Sequence, residues 1–154
     1  MISKKIIEFL EDNEFLAVAT CGQDMQPNVS AKFLLKVIGD CIYLGDYNID
    51  RTWSNINFNP KVSLFSMDLD TLEGYQINGK AGMLDEGKIY ESLIEEFNSR
   101  KINFSTKRVI ESVQKEKACK QFETIFPETV IIYRIKVEEI IALKPTGQLK
   151  RQRV

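Results

Sequence analysis

Polar residues on two predicted strands and at one predicted helix start could together bind an anion. Ser30 and Lys32 lie on the polar face of an alternating segment, and Arg51 and Thr52 begin a short predicted helix. The free N–H groups at a helix N-terminus favour phosphate, an arginine can bind it through two hydrogen bonds, and a threonine adds a hydroxyl. Gly45 ends another predicted strand and, having no side chain, would let a planar ring approach the backbone. These residues therefore suit an anion that carries a flat apolar group.

The same residues also allow a plainer interpretation. Arg51 could be a solvated residue of the first helical turn, and Lys32 could simply face water from its strand. Charged side chains are mostly exposed in folded proteins, so spacing alone does not choose between the two interpretations.

Much other chemistry is excluded by what the chain lacks. It contains no histidine, which removes the usual general base and most catalytic zinc and non-haem iron sites. Its three cysteines, Cys21, Cys41 and Cys119, are too far apart for a CxxC motif and are odd in number. There is no GxGxxG, Walker or GxSxG segment. We therefore expect no metal site, no disulfide framework and no self-sufficient hydrolase or transferase.

The hydrophobic pattern predicts a mainly β protein with flanking helices. Alternation is clearest over residues 28–37, and a Gly39-Asp40 turn pairs this segment with the next one as a hairpin. The predicted strands cover residues 15–21, 28–37, 41–45, 62–67, 75–83 and 129–143. Helices are predicted over residues 3–12, within 46–59, where Asp50 or Asn48 could be the N-cap, and after the fifth strand. This spacing is typical of a closed antiparallel sheet.

Length and charge favour one domain over residues 1–154. The net charge of -1 gives no general attraction to nucleic acid, and no apolar run approaches the ~20 residues of a membrane span. We expect a cytoplasmic protein that binds neither nucleic acid nor membrane. Residues 98–128 are expected to form a helical insertion, and the basic tail at residues 146–154 is expected to be a solvated terminus.

The order of these segments resembles the FMN-binding split-barrel proteins of the pyridoxamine 5'-phosphate oxidase-like superfamily. The resemblance rests on FLAVATC, PNVSAKFLLKV, CIYLGD and YQINGKAGML, and most specifically on RTWSNINFNPKV at residues 51–62. It covers residues 1–97 continuously, and the last strand completes it. The resemblance implies a six-stranded antiparallel split β-barrel and a homodimer with FMN at two subunit-interface sites.

The resemblance also implies which residues bind the cofactor. Residues matching Arg51 and Thr52 bind the FMN phosphate in the family, while the segments at residues 30–32 and 44–46 line the ribityl chain and the isoalloxazine. The residues carried over are Ser30, Ala31, Lys32, Leu44, Gly45, Asp46, Arg51 and Thr52. The oxidases proper carry serine and lysine in place of Asp50 and Thr52, so this chain loses a cation and gains an acid near the expected phosphate. The arginine- and histidine-bearing segment that holds the pyridoxal ligand in those oxidases is not matched by residues 146–154.

The function that this resemblance implies is that of a flavin-dependent oxidoreductase of unknown substrate. A small redox substrate or a nicotinamide donor would be its partner, and no catalytic side chain can be named. A non-enzymatic FMN-binding electron carrier or flavin store is the alternative. A third class is a barrel that has lost its flavin, or that uses deazaflavin or haem.

Overall fold

A computed structural model describes residues 1–47, 49–100 and 130–154. The elements that precede residue 60 are α1 (Lys4–Glu11), β1 (Phe15–Cys21), β2 (Pro27–Ile38), β3 (Cys41–Asp46) and α2 (Arg51–Phe58). The later strands are β4 (Lys61–Met67), β5 (Gly74–Leu84), β6 (Ile131–Leu143) and β7 (Leu149–Arg153). A further helix, α3, is described over residues 88–100. Beyond residue 100, the predicted helical insertion lies outside the described residues.

Six of the strands form a closed antiparallel barrel in the order β3-β2-β1-β4-β5-β6, because β6 also pairs with β3. The predicted fold class, a six-stranded antiparallel barrel with flanking helices, is confirmed. The first half of β6, from Ile131 to Lys136, pairs with β3, whereas its second half, from Glu139 to Leu143, pairs with β7. The barrel therefore divides along β6, where β7 replaces β3 as the neighbour.

The seventh strand corrects the expectation that the basic tail is only a solvated terminus. A turn at residues 144–148 reverses the chain, with Gly147 at φ +78° and its N–H bonded to the carbonyl of Lys144 at 2.8 Å. All five residues of β7 are exposed. Because no face of this strand is buried, its sequence carries no hydrophobic alternation and the pattern could not show it.

Two clusters of apolar side chains hold the elements together. The barrel interior is filled by residues such as Leu34, Leu64 and Ile77, and α1 adds Ile6 and Leu10 to it. The second cluster lies outside the barrel, where α3 packs against β2, β3 and β6; its buried members are Leu35, Tyr43, Leu93, Phe97 and Ile132. The adjacent leucines 34 and 35 face opposite sides of β2 and therefore enter different clusters, Leu34 on the inner side with Ser30 and Lys32.

None of the helices in the described ranges is long and apolar enough to span a membrane.

Candidate functional site

Asp50 is the N-cap of α2 and fixes where the helix begins. One of its carboxylate oxygens, Oδ1, accepts hydrogen bonds from the backbone N–H groups of Thr52 at 2.8 Å and Trp53 at 3.4 Å. These amides belong to the group that lacks partners within a helix, so the aspartate satisfies them and offsets the positive end of the helix dipole. Of the two predicted caps, Asp50 therefore takes the role.

Lys32 is a buried cation between two carboxylates, those of Asp46 and Asp50. Its side chain is 2% exposed, and its ammonium group contacts Asp46 and donates to Asp50 Oδ2 at 3.0 Å. An isolated buried charge would be strongly unfavourable, and the two carboxylates offset part of that penalty. For Asp50, burial opposes ionisation, but hydrogen bonds and charge from Lys32 together with the two helix amides hold its pKa below the ordinary value.

Hydroxyl and amide groups continue this polar cluster from Lys32 to the first turn of α2. Thr52 is fully buried, and its Oγ1 lies 2.8 Å from Ser30 Oγ and accepts from Asn28 Nδ2 at 3.2 Å. Thr20 Oγ1 accepts from Asn28 at 3.3 Å and from Asn55 at 3.0 Å. The network ties α2 to β1 and β2, so the helix start is held rigidly over the barrel strands.

Arg51 lies apart from this cluster although it is next to Thr52 in sequence. Its guanidinium pairs with Asp24 in the turn between β1 and β2, and both side chains are about half exposed. The two predicted cations are therefore placed differently, Lys32 inside and Arg51 at the surface.

The structure brings together four of the eight predicted residues and separates the others. Ser30, Lys32, Asp46 and Thr52 join the buried polar cluster. By contrast, Leu44 packs in the barrel interior and Ala31 is exposed on the outside of the barrel. Gly45 faces outward too, but a Cβ placed on it would lie 2.7 Å from the ring of Phe97 on α3. The space above Gly45, which the sequence suggested for a planar ligand, is filled by a ring of the protein itself.

The buried hydroxyl of Tyr133 was not among the predicted site residues, and this side chain lies in the barrel interior. Tyr133 on β6 is 1% exposed, and within the described part of the chain its hydroxyl has no hydrogen-bond partner. Burial raises the pKa of this phenol, and the negative charges of Asp46 and Asp50 raise it further. The sequence did contain a signal for it, because Tyr133 carries a hydroxyl on a strand face whose neighbouring residues, Ile131 and Ile135, are apolar.

The chemistry of these donors fits a phosphate group. The start of α2 gathers the Lys32 ammonium, the Ser30 and Thr52 hydroxyls and two backbone amides, with the Arg51 guanidinium nearby. Such groups form charge-assisted hydrogen bonds to phosphate oxygens. Both cations and both amides, however, already contact carboxylates of the chain, namely Asp24, Asp46 and Asp50.

Solved structures with the same fold were found in several bacteria. A Clostridium acetobutylicum protein related to general stress protein 26, of the pyridoxinephosphate oxidase family, superposes with a TM-score of 0.71 at 17% identity, over 99% of this chain and 97% of its own. HupZ from Group A Streptococcus gives a TM-score of 0.69 at 21% identity, over 94% of this chain and 96% of its own. At these identities the likeness shows the fold alone.

Two further structures share the fold but are described with other ligands. HutZ from Vibrio cholerae, a heme storage protein, gives a TM-score of 0.58 at 17% identity over 87% of this chain and 88% of its own. An F420 reductase gives 0.57 at 14% identity over 91% of this chain and 98% of its own. Proteins with this barrel therefore include more than one cofactor class.

Sequence comparisons identify the family. An uncharacterised protein from Methanocaldococcus jannaschii is 32% identical over 98 residues, which is 62% of this chain and 64% of that protein, so the match spans less than two thirds of the relative. The family profile described as pyridoxamine 5'-phosphate oxidase matches residues 2–142. With nearly the whole chain matched and the barrel in place, the protein belongs to the pyridoxamine 5'-phosphate oxidase family.

Proposed function

We propose that this protein is an FMN-binding flavoprotein that acts as a flavin-dependent oxidoreductase. The observation that carries the proposal is the buried polar cluster at the start of α2, where Lys32, Ser30 and Thr52 meet. Polar groups buried inside an apolar barrel are unfavourable unless they are satisfied by one another or by a ligand. Membership of the family supports a flavin as that ligand.

The residues of this cluster would have different roles in binding FMN. Lys32, Thr52 and Ser30 hold the phosphate from the inner side of β2 and the first turn of α2, and Arg51 reaches it from the surface. The strand end at Asp46 keeps Lys32 charged and oriented through their ion pair. When bound, FMN supplies the redox chemistry at its ring, while the chain contributes binding and exclusion of water. Ala31 stays a predicted contact of the cofactor. In this arrangement Leu44 and Gly45 would not touch it, because Leu44 packs in the barrel interior and the Phe97 ring covers Gly45.

We also propose that two copies associate through the outside of the barrel. This outer face is formed by β1, β2 and β4 and carries apolar residues that are unusually exposed: Phe15, Val29, Ala31 and Phe65. Val29 is 66% exposed in the part of β2 that pairs with β1 but not with β3, opposite Ala19. Contiguous apolar patches of this kind mark interaction sites in soluble proteins.

An open groove of about 480 Å³ lies beside the outer face. Its lining includes Ala19, Cys21 and Ser63 from the outer face, and Asn78 from β5. Thr20 also lines it and belongs to the buried hydrogen-bond network at the start of α2. The volume falls within the range of cofactor sites, and a second copy on the outer face would enclose the groove. None of the eight predicted cofactor residues lines the groove, so its support for a site shared between two subunits is its position beside the outer face.

Haem is less suited to this chain than a flavin. Haem iron is most often held by histidine, and the sequence contains none. A non-enzymatic carrier or flavin store uses the same binding site as an oxidoreductase, so the two differ only in turnover. The protein would be cytoplasmic, where reduced nicotinamide donors are available.

Two measurements test this function in order. The purified protein is titrated with FMN, and flavin fluorescence and thermal stability are followed; we expect quenching and an increase in Tm. Absence of both, with haem and deazaflavin F420 titrated in parallel, would contradict flavin binding and identify another cofactor class. The loaded protein is then supplied with NADH or NADPH, and oxidation of the donor separates an enzyme from a carrier.

A further inference from the structure

Asp50 uses both of its carboxylate oxygens as a bound anion would. Oδ1 accepts from the Thr52 and Trp53 amides at 2.8 and 3.4 Å, and Oδ2 accepts from Lys32 at 3.0 Å. A phosphate at the start of an eight-residue helix beside a lysine would require the same donors. The chain thus carries its own anion at the place where the cofactor anion is expected.

The balance of charge points the same way. Around the start of α2, two cations, Lys32 and Arg51, face three carboxylates, those of Asp24, Asp46 and Asp50. Among the residues that the structure describes, these groups carry an excess of one negative charge before any ligand arrives. A phosphate dianion entering the site meets repulsion from the Asp50 carboxylate, which is partly screened because that side chain is 35% exposed.

A second observation indicates that an acceptor belongs at this place. Tyr133 pairs with Leu44, two residues from Asp46, and its buried hydroxyl has no partner among the residues that the structure describes. A buried donor without an acceptor is rare in folded proteins because its desolvation is not compensated. A phosphate has more oxygens than the carboxylate that it would replace, and an additional oxygen would be an acceptor for that hydroxyl.

We propose that Asp50 is a specificity-determining residue of this site: FMN binds only by displacing its carboxylate, and this penalty falls on phosphorylated flavins and not on riboflavin. The inference rests on the proposed function, because it concerns the same site. In chemical terms, the Asp50 carboxylate lowers the affinity of the site for a phosphate group. A serine at this place would cap the helix without adding charge.

The test compares FMN and riboflavin in wild type, Asp50→Ser and Asp50→Asn. Both substitutions keep a side chain suited to an N-cap and leave Lys32 paired with Asp46, so we expect both variants to fold. Dissociation constants are measured by fluorescence quenching and calorimetry. We expect FMN to bind about tenfold or more tightly to each variant than to wild type, with riboflavin affinity unchanged. Asp70→Ser removes the same charge from an exposed loop and should leave both affinities unchanged.

The outcomes separate this inference from the proposed function. An unchanged ratio of FMN to riboflavin affinity in the Asp50 variants would overturn the inference and leave flavin binding intact. Failure of the variants to bind either FMN or inorganic phosphate would overturn it as well. If wild type does not bind FMN but Asp50→Ser does, the inference holds and the proposed function of the natural chain fails.

Discussion

The two sides of strand β2 are opposite in character to what a barrel strand usually shows. Its inner side carries Ser30 and Lys32 into a buried polar cluster, whereas its outer side exposes Val29 and Ala31. In an antiparallel sheet with one solvated face, apolar residues normally point inward and polar ones outward. Both departures occur within the same few residues, so they describe one region of the molecule seen from two sides.

Each side of β2 is unfavourable for an isolated chain that has no ligand. Burying an ammonium group and two carboxylates inside a barrel is seldom better for stability than packing apolar residues of the same size. Exposing an apolar stripe is equally unfavourable for a monomer. A ligand on the inside and a second copy on the outside would account for both, which is the arrangement we propose.

The largest effect is expected from removing the inner cation. Lys32→Met keeps the length of the side chain but removes the ammonium group that contacts both Asp46 and Asp50. Breaking a buried ion pair costs about 3 to 5 kcal/mol, and we expect the lower end because the Asp50 side chain is 35% exposed. The free energy of unfolding in urea measures this loss.

Lys80→Met is the matched control for this substitution. Lys80 pairs with Glu138 at 3.1 Å, but both side chains are more than half exposed, so less than about 1 kcal/mol should be lost. If both variants lose the same free energy of unfolding, the burial of Lys32 adds nothing to its ion pairs. The proposed difference between the buried and the exposed side would then be wrong.

The next effect concerns the outer side. Ala31→Asp places a carboxylate on the exposed apolar face, and in a symmetric dimer the change occurs in both copies. A buried charge or a pair of like charges in an interface costs several kcal/mol, so we expect the dimer dissociation constant to rise about 100-fold or more. Analytical ultracentrifugation measures the shift, and unfolding of the monomer should change by less than about 0.5 kcal/mol.

Leu69→Asp controls for the added charge. Leu69 is highly exposed in the loop between β4 and β5, away from the outer face. It should leave the association unchanged. A wild-type protein that is monomeric at all concentrations, or a dimer that tolerates Ala31→Asp, would contradict the assignment of this face as an interface.

Substitutions of Arg51 and its partner Asp24 test whether the phosphate site includes this exposed guanidinium. Arg51→Ala should weaken FMN binding by about 1.5 to 3 kcal/mol, because it removes a charge-assisted contact to the phosphate. Asp24→Ala should act in the opposite direction, since it frees the Arg51 guanidinium from its present partner. Titration with FMN measures both. If the two variants change affinity in the same direction, Arg51 does not bind the phosphate.

The sequence predicted the strand and the helix that form this site, but not which face of the strand points into the barrel. Alternation from residue 28 onward predicted β2, and the residues between 46 and 59 predicted a capped helix, because both signals are local. Alternation is symmetric, however, so it separates the two faces of a strand without saying which one points inward. That choice is made by the partners of Lys32, which are 14 and 18 residues away in sequence.

Other features depended on contacts that no local pattern contains. Phe97 fills the space above Gly45, and the two residues belong to elements that lie far apart in the chain. The Arg51 contact with Asp24 likewise joins a helix start to a distant turn. Strand β7 has no buried face, so only its turn at Gly147 could have indicated it. The resemblance to a family implied the barrel and pointed to Asp46 and Asp50, but it did not imply their contacts with Lys32 or the pairing of Arg51 with Asp24.

The smallest effect is a pH dependence that arises from Asp50. Its pKa lies below the ordinary value because, against the opposing effect of burial, Lys32 and the amides of α2 stabilise the ionised form in the folded state. A carboxyl whose pKa is lowered by folding contributes stability above its unfolded pKa, near 4, and this contribution disappears as the pH falls through the folded value. Because the side chain is partly exposed, the contribution should be below about 1 kcal/mol. Urea unfolding of wild type and Asp50→Asn from about pH 6 to pH 3 measures it, with a stability difference that shrinks toward acid. A difference that stays constant with pH would mean that Asp50 gains nothing from ionisation on folding, and its role as the internal anion would be lost.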